Sequence, residues 1–360
     1  MADRGFGPVV ESLPDRIWLR GARTGHRIRY HSLDEEGGRL VGGSVFLPAT
    51  PPPANGYPLV GWGHCALGLT PLDAPSRGGL LRTERIHLSA WLRAGFAVAA
   101  TDFRGFEEPG DQPRLDGRSE GRDLVELVGS VLAMGYPLDG RWVCAGFSQG
   151  AHAALVAAAL AEQHPAGAGL LGTVALAPLF RYSEFFARVT DRGDQQLEQS
   201  VLLFLTVLRA RFPAFPDFDP DGRREPLLRP YLDLAERLPR REYVPAVRGV
   251  TNDRAGLTGL GSLPELVRFA RALDFQPGRL AHPLFLAAVD PDEVVPADLL
   301  RGLGDALAAA GGSVSYRRYD GVEHVETPVV AAADAVAFGL RLLTGGLTGA
   351  DLAEPAPKMP

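Results

Sequence analysis

The sequence is poor in lysine and in long apolar runs, and each shortage excludes certain classes of protein. Among its 360 residues a single lysine, Lys358, appears, so arginine carries nearly all of the positive charge. The formal net charge of −6 argues against a nucleic-acid partner or an anionic membrane surface. No run of about 20 apolar residues is present, so the sequence predicts no integral membrane segment.

Cysteine is equally scarce. Cys65 and Cys144 are too few for a disulfide framework, and two buried thiols are favoured over a single bridge between them. No H-E-x-x-H pair and no cysteine–histidine ligand spacing occurs, so we expect neither a metal nor another cofactor. The first residues lack the apolar core of a signal peptide, which predicts a cytoplasmic chain, or a secreted one if an export signal was removed.

What the sequence does contain is an alternation of short apolar runs with helical segments. After a predicted antiparallel hairpin over 27–48, helical segments separate the runs LVGWGHC, FAVAATDF, RWVCAGF, LLGTVALAP and HPLFLAAVD. This alternation predicts βαβ units and a parallel sheet. Because the runs lack regular polar positions, both faces of the sheet should be covered. We therefore predict a mostly parallel central sheet flanked by helices.

The alternation stops between Phe180 and Ala281, where helical pieces alternate with loops rich in proline and arginine. A strandless stretch of about 100 residues between two core strands is typical of an inserted helical cap. We predict the N-terminal half of the core over 1–180, the cap over 181–281, the rest of the core over 282–346 and a flexible tail over 347–360.

The segment from Gly146 to Gly150 fits the G-x-S-x-G nucleophile elbow, with Ser148 at its centre. An apolar run precedes it and an alanine-rich helix follows, so Ser148 is expected in a strained turn that exposes its Oγ. The helix directs its free amides toward the same point. A tight turn in which the serine only caps the helix is the alternative. The surrounding pattern favours the nucleophile.

A serine hydroxyl is a weak nucleophile without a base, and two later strand ends supply the partners. His324 follows the strand SVSYRRYD and is the predicted general base. Asp292 follows the strand PLFLAAVD and is predicted to orient the imidazole, with Asp290 as an open rival. His152, one helical turn after Ser148, is a lesser candidate for the base.

Other charged residues nearby have simpler explanations. His282 precedes a strand and is expected to be structural, and Glu323 and Glu326 are interpreted as solvated loop residues.

Acyl transfer also needs two backbone donors for the developing oxyanion. The N–H of Gln149, directly after the nucleophile, is the first predicted donor. The N–H of Cys65, in the loop after an early strand, is the second. His64 is expected to shape this loop and contact the substrate, and Phe147 is the other predicted substrate contact.

Four segments together resemble the secretory lipase family of α/β-hydrolases, which are microbial lipases and esterases with an inserted helical lid. They are GWGHCALGLTPLDAPS, ATDFRGFEEPGDQPRLDGRSEGRDLVELV, AGFSQGAHAAL and DPDEVVP. The resemblance is weakest in the cap. It implies an α/β-hydrolase fold and a Ser148–Asp292–His324 triad that hydrolyses carboxylic esters, with the D-x-x-V-P pattern placing the acid at Asp292. This chain has His64-Cys65 where the family has His-Gly.

The sequence thus predicts a serine carboxylesterase or lipase that works through an acyl-enzyme on Ser148, with a small-molecule ester or acyl compound as its partner. Two alternatives stay open. An acyltransferase, a thioesterase or a tailoring enzyme of specialised metabolism would use the same triad. A hydrolase-fold protein that binds a ligand without chemistry belongs to a different class. Acyl chain length and oligomeric state do not follow from the sequence.

Overall fold

The computed structural model describes residues 7–14, 19–34, 37–107, 116–211 and 224–345 and contains a nine-stranded sheet. The predicted tail over 347–360 lies outside the described residues. The spatial order is β1-β2-β3-β5-β4-β6-β7-β8-β9. The strands are β1 (Val9–Pro14), β2 (Ala22–Asp34), β3 (Gly37–Pro48), β4 (Tyr57–Gly63), β5 (Ala97–Thr101), β6 (Leu138–Phe147), β7 (Leu170–Leu176), β8 (Leu284–Asp290) and β9 (Val314–Asp320).

The sheet is mostly parallel, which confirms the prediction. Every pairing from β5 through β4, β6, β7 and β8 to β9 is parallel, whereas β1, β2 and β3 form an antiparallel edge that joins β5. The predicted hairpin is β2–β3. Strand β1 was not predicted, because most of its residues are exposed or half-buried and carry no apolar run.

Helices cover both faces of the parallel part. Successive residues of a strand point to opposite faces. Trp62 of β4 contacts Glu84 of α2 (Arg82–Arg93), while a Cβ at its neighbour Gly61 would meet Val128 of α3 (Gly117–Leu132). The helices of the core are α1 (Pro75–Gly78), α2 (Arg82–Arg93), α3 (Gly117–Leu132), α4 (Gln149–Ala161), α11 (Ala297–Ala309), α12 (Thr327–Val330) and α13 (Ala332–Thr344).

The elements named between β7 and β8 are helical. They are α5 (Tyr182–Val189), α6 (Gln199–Arg211), α7 (Glu225–Arg237), α8 (Arg240–Ala246), α9 (Asn252–Ala255) and α10 (Pro264–Leu273). A 3-10 helix (Leu260–Ser262) and an isolated β-bridge between Gln196 and Thr251 lie among them. We call residues 181–281 the insertion, and its exact limits stay a prediction. The backbone N–H of Arg240 donates to Asp73 of the core at 2.7 Å, which ties α8 to the loop before α1.

No single helix of the described part is long and apolar enough to cross a membrane. Two consecutive helical stretches, His324–Val330 and Ala332–Thr344, reach the length and apolar composition of a membrane span only when they are taken together. They are bent by 50° relative to each other.

Two glycines bring the start of α4 against the end of β4. A Cβ on Gly150 would overlap the carbonyl group of Gly63 and lie 2.6 Å from the carbonyl oxygen of His64. A Cβ on Gly146 would overlap the carbonyl of Gly150 in turn. Only glycine allows backbones to approach this closely. The G-x-S-x-G pattern is therefore required by packing at the corner between β6 and α4.

We predict that Gly150→Ala lowers the free energy of unfolding by about 2 kcal/mol, because overpacking typically costs more than the better helix propensity returns. Gly302→Ala is the matched control, since Gly302 lies in helix α11 with nothing within 4 Å of an added Cβ. There the change should stabilise the fold by roughly 0.5–1 kcal/mol. Urea unfolding of both variants measures the difference, and equal effects would contradict the packing argument.

Candidate active site

Ser148 lies at the corner between β6 and α4 in a conformation that L-residues rarely adopt, with φ 55° and ψ −113°. Its N–H donates to the carbonyl of Leu176 at 2.9 Å, and its carbonyl accepts from the N–H groups of Ala151 and His152, both at 3.1 Å. These bonds hold the strained turn in place. The residue is 8% exposed and its side chain lines a cavity.

A chain of hydrogen bonds joins three side chains from three strand ends. His324 Nε2 lies 3.0 Å from Ser148 Oγ, and His324 Nδ1 lies 2.8 Å from Asp292 Oδ2. Strands β6, β7, β8 and β9 are parallel neighbours, so the loops after β8 and β9 emerge beside the elbow. Both distances fall within the range expected for a nucleophile, a base and an orienting acid.

The carboxylate of Asp292 is fixed from two sides. Its side chain is fully buried, and Oδ1 accepts from the N–H groups of Val294 and Val295 at 2.8 Å each. Arg188 of the insertion donates to the carbonyls of Glu293 and Val294, which ties this loop to α5. These contacts fix the orientation of the carboxyl group beside His324.

Asp290 lies elsewhere. As the last residue of β8 it forms an ion pair with Arg318 of β9 at 2.5 Å, and its side chain is 44% exposed. The structure brings Asp292, and not Asp290, to His324.

The hydrogen-bond pattern assigns the tautomer of His324. Because a buried carboxylate only accepts, Nδ1 carries the proton and Nε2 faces the Ser148 hydroxyl as an acceptor. The ring of Phe147 lies against the imidazole, with 5.1 Å between centroids, and Phe147 also lines the cavity. In this arrangement His324 is oriented to take a proton from Ser148.

Gln149 is the first residue of α4, so its N–H has no acceptor within the helix. Its side-chain amide donates to Glu120 Oε1 at 2.5 Å. Burial raises the pKa of Glu120 well above its ordinary value. The backbone N–H of Gln149 therefore has the placement predicted for a donor at the elbow.

Cys65 does not have the predicted placement. Its backbone N–H donates to Glu84 Oε1 at 3.2 Å, and its thiol donates to Glu84 Oε2 at 3.6 Å. An N–H committed to a carboxylate is not free for an oxyanion. The next residue, Ala66, also lines the cavity, and its N–H makes no hydrogen bond to any described residue.

Glu84 holds this loop in place through hydrogen bonds, a role that was not predicted from the sequence. Besides Cys65, its carboxylate accepts from the N–H of Leu81 at 3.2 Å and from the indole N–H of Trp62 at 3.3 Å. It is fully buried. Burial raises its pKa to about 7, although the donors from Cys65 and Leu81 oppose the rise.

His64 lies behind the same loop and does not line the cavity, so its predicted contact with substrate does not match its placement. Its ring nitrogens lie 2.5 Å from the carbonyl oxygen of Cys65 and 3.1 Å from that of Asp102. Burial lowers its pKa to about 4, so the ring is neutral near pH 7. The other part of its prediction, that it shapes the loop, agrees with these contacts.

His152, His282 and the two cysteines take no part in the hydrogen bonds that join Ser148, His324 and Asp292. The His152 ring contacts the Tyr182 hydroxyl at 3.3 Å, and burial lowers the pKa of His152 to about 4. His282 is half-buried before β8. Cys65 and Cys144 are both free and buried, so the structure has two thiols and no bridge between them. Among the described residues no cluster of three or more His, Cys, Asp or Glu suits a metal.

The cavity above Ser148 has a volume of about 330 Å³. Core and insertion both contribute to its walls. Its apolar lining includes Leu81, Phe147, Leu179, Leu203, Phe204, Val294 and Val325, and its polar lining includes Glu198, Gln199, Ser200, Arg240, Tyr243, Glu293 and Glu323. A concave site with apolar walls and convergent polar groups is typical of a small-molecule site.

A scan against protein-family models gives no match for this chain, and a search of curated protein sequences gives none. Solved structures do match. Candida antarctica lipase A in its closed state is 16% identical over 97% of this chain and 85% of its own, with a TM-score of 0.74. The rice cell wall degrading esterase LipA from Xanthomonas oryzae is 15% identical over 96% of this chain and 100% of its own, with a TM-score of 0.73.

These similarities cover nearly the whole chain at low identity, and they show its fold. The chain has the α/β-hydrolase fold, with a mostly parallel sheet flanked by helices, as predicted.

Glu84 should make the free energy of unfolding depend on pH. Its pKa is about 7 in the folded protein, above its ordinary value of 4.5, so the folded state keeps a proton that the unfolded state loses between these values. The free energy of unfolding therefore falls as pH rises through this window, by about 3 kcal/mol at most. We predict that the wild type loses this amount relative to Glu84→Gln between pH ~4.5 and ~7.5 in urea unfolding.

Glu162→Gln removes an exposed carboxylate at the end of α4 and serves as the control. A constant stability difference between wild type and Glu84→Gln across this pH range would show that Glu84 does not hold its proton in the fold.

Proposed function

We propose that the chain is a serine-dependent carboxylic ester hydrolase of the lipase and esterase kind. The observation that carries the proposal is the continuous hydrogen-bond chain from Asp292 through His324 to Ser148 at the cavity wall. The lipase and esterase among the similar structures support an ester as substrate. The resemblance to the secretory lipase family supports the same activity.

In the proposed reaction, Ser148 Oγ attacks the ester carbonyl carbon while its proton passes to His324 Nε2. The carboxylate of Asp292 stabilises the imidazolium that forms. The tetrahedral intermediate then breaks the bond to the alcohol oxygen, which takes the proton from His324 and leaves. An acyl-enzyme on Ser148 remains. Water, deprotonated by the same imidazole, attacks the acyl carbon and forms a second tetrahedral intermediate. Its bond to Ser148 Oγ then breaks, Oγ takes the proton back from His324, and the carboxylic acid leaves.

We assign the two oxyanion donors to the N–H groups of Gln149 and Ala66. Each belongs to a residue that lines the cavity, and neither N–H has an intramolecular acceptor among the described residues. Glu84 supports this arrangement from behind, because it binds the preceding amide of Cys65 and fixes the loop. Preorganised donors of this kind stabilise the transition state without reorganising during the reaction.

The lining of the cavity supports an acyl ester as substrate. Leu203 and Phe204 of α6 and Leu179 after β7 offer apolar contacts close to Ser148. A buried apolar wall favours an acyl chain over a sugar, because unpaired hydroxyl groups would lose hydrogen bonds to water there.

We predict that a fluorophosphonate probe labels Ser148 and that Ser148→Ala loses both labelling and para-nitrophenyl ester hydrolysis. The rate should fall by about 10⁴-fold or more, since the nucleophile acts as one unit with its base. Mass spectrometry of the labelled peptide and initial rates measure the two effects. Ser262→Ala, at an exposed position in the insertion, should behave as wild type. A folded wild type that is neither labelled nor active would disprove the proposal.

A structure of the phosphonate adduct tests the donors. The phosphonyl oxygen should lie about 2.7–3.1 Å from the N atoms of Gln149 and Ala66. Contact with the N–H of Cys65 in place of Ala66 would show that the loop rearranges on binding.

The acid is tested by a matched pair of isosteric variants. Asp292→Asn should lower kcat on the order of 10³–10⁴-fold, because an amide donor toward Nδ1 selects the wrong tautomer. Asp290→Asn should change kcat little, because Asp290 contacts the half-exposed Arg318 and not His324. Steady-state kinetics on one ester measures both, with thermal unfolding as the control for folding. Equal losses would contradict the assignment of Asp292.

A further inference from the structure

Helix α8 places two hydrogen-bond donors in the cavity wall. Arg240 and Tyr243 lie three positions apart, so they share one face of the helix, and both line the cavity that contains Ser148. The oxygen of Asp73 that accepts from the N–H of Arg240 fixes the first turn of α8. The other oxygen of the same carboxylate accepts from Thr70, at 3.0 Å from N and 2.8 Å from Oγ1. The pair is thus held by the core.

The hydroxyl of Tyr243 is buried without a partner. The residue is 0% exposed, and no described residue donates to or accepts from its oxygen. A buried hydroxyl without a hydrogen bond costs free energy, so its retention at a cavity wall indicates that a ligand supplies the acceptor.

Arg240 provides a positive charge beside this hydroxyl. Its side chain is half-buried, and within the described ranges its guanidinium forms no ion pair. Burial raises the pKa of Tyr243 and of Cys65, and the Arg240 cation opposes both rises. A guanidinium and a phenol on one wall both donate, and a carboxylate accepts from both.

None of the acidic residues of the cavity forms an ion pair with Arg240 in the described part of the chain. Glu198 Oε1 accepts from the N–H and hydroxyl of Ser200, at 2.9 and 2.7 Å, and so caps the start of α6. Glu293 and Glu323 are exposed at the rim, where water screens their charge.

We propose that Arg240 and Tyr243 form a carboxylate-binding subsite, and that the preferred substrates are esters that carry a free carboxylate away from the scissile bond. This inference rests on the proposed function, and it names the substrate class of the same site. The carboxylate belongs to the acyl part, as in a dicarboxylic acid monoester, or to the alcohol part.

The test compares esters that differ in charge at similar length. Mono-para-nitrophenyl adipate and para-nitrophenyl heptanoate test the acyl side, and para-carboxyphenyl and para-acetylphenyl butyrate test the alcohol side. The wild type should prefer the anionic member of one pair by about tenfold or more in kcat/KM. Preference for a trimethylammonio-hexanoate ester over the heptanoate would overturn the proposal and assign the rim carboxylates as the specificity element.

The variants separate the two donors. Arg240→Gln should lower the preference ratio about tenfold or more, and Tyr243→Phe, which removes only the hydroxyl, by about threefold to tenfold. Arg241→Gln is the matched control, because Arg241 is exposed and pairs only loosely with Glu242 at 3.6 Å. Its ratio should equal that of the wild type. Equal ratios in Arg240→Gln and Arg241→Gln would disprove the subsite.

A binding measurement keeps this inference separate from the proposed chemistry. Monomethyl adipate is titrated calorimetrically into Ser148→Ala, which cannot form an acyl-enzyme, with and without Arg240→Gln. Binding that weakens about tenfold or more with Arg240→Gln supports the subsite even if no ester is hydrolysed. Hydrolysis of the neutral esters without any charge preference would leave the proposed function intact and reject the subsite.

Discussion

The arrangement of the site depends on the tight corner between β6 and α4. Ser148 adopts φ 55° there, and the backbone of Gly150 lies against that of Gly63. This single approach brings the serine, the first amide of α4 and the loop after β4 to one place. The strain of the turn is offset by hydrogen bonds to Leu176 and along α4. The fold therefore exposes a hydroxyl where free amides already point.

Much of this arrangement follows from sequence because it depends on strand ends. Parallel neighbouring strands end at one edge of a sheet, so the order serine, acid, histidine along the chain predicts that Ser148, Asp292 and His324 converge. The distances from His324 to its two neighbours agree with that expectation. The strand ends alone left Asp290 and Asp292 open, and only the resemblance, through the D-x-x-V-P pattern, favoured Asp292. The structure gives the physical reason, because Asp290 pairs with Arg318 of β9 and Asp292 lies beside His324.

The loop after β4 shows where sequence reasoning stops. Cys65 was predicted to donate to an oxyanion, but Glu84, nineteen positions later on α2, takes that N–H. No local pattern signals such a contact, because it is made by packing between two elements. For the same reason the sequence does not predict that Arg240 and Tyr243 line the cavity. Their helix is short, and its packing and its hydrogen bond to Asp73 bring them to the cavity wall.

The carboxylate of Asp73 also bears on how substrates enter. It joins Thr70 of the core to the first amide of α8, while Arg188 joins α5 to the loop that carries Asp292. The insertion is thus bound to the core at two places, through α8 and through α5. A rigid-body rotation of the whole insertion away from the core would have to break both of these contacts at once. Smaller displacements of individual segments would leave both contacts intact, so the cavity of the proposed enzyme could admit a substrate without losing the positions of α5 and α8.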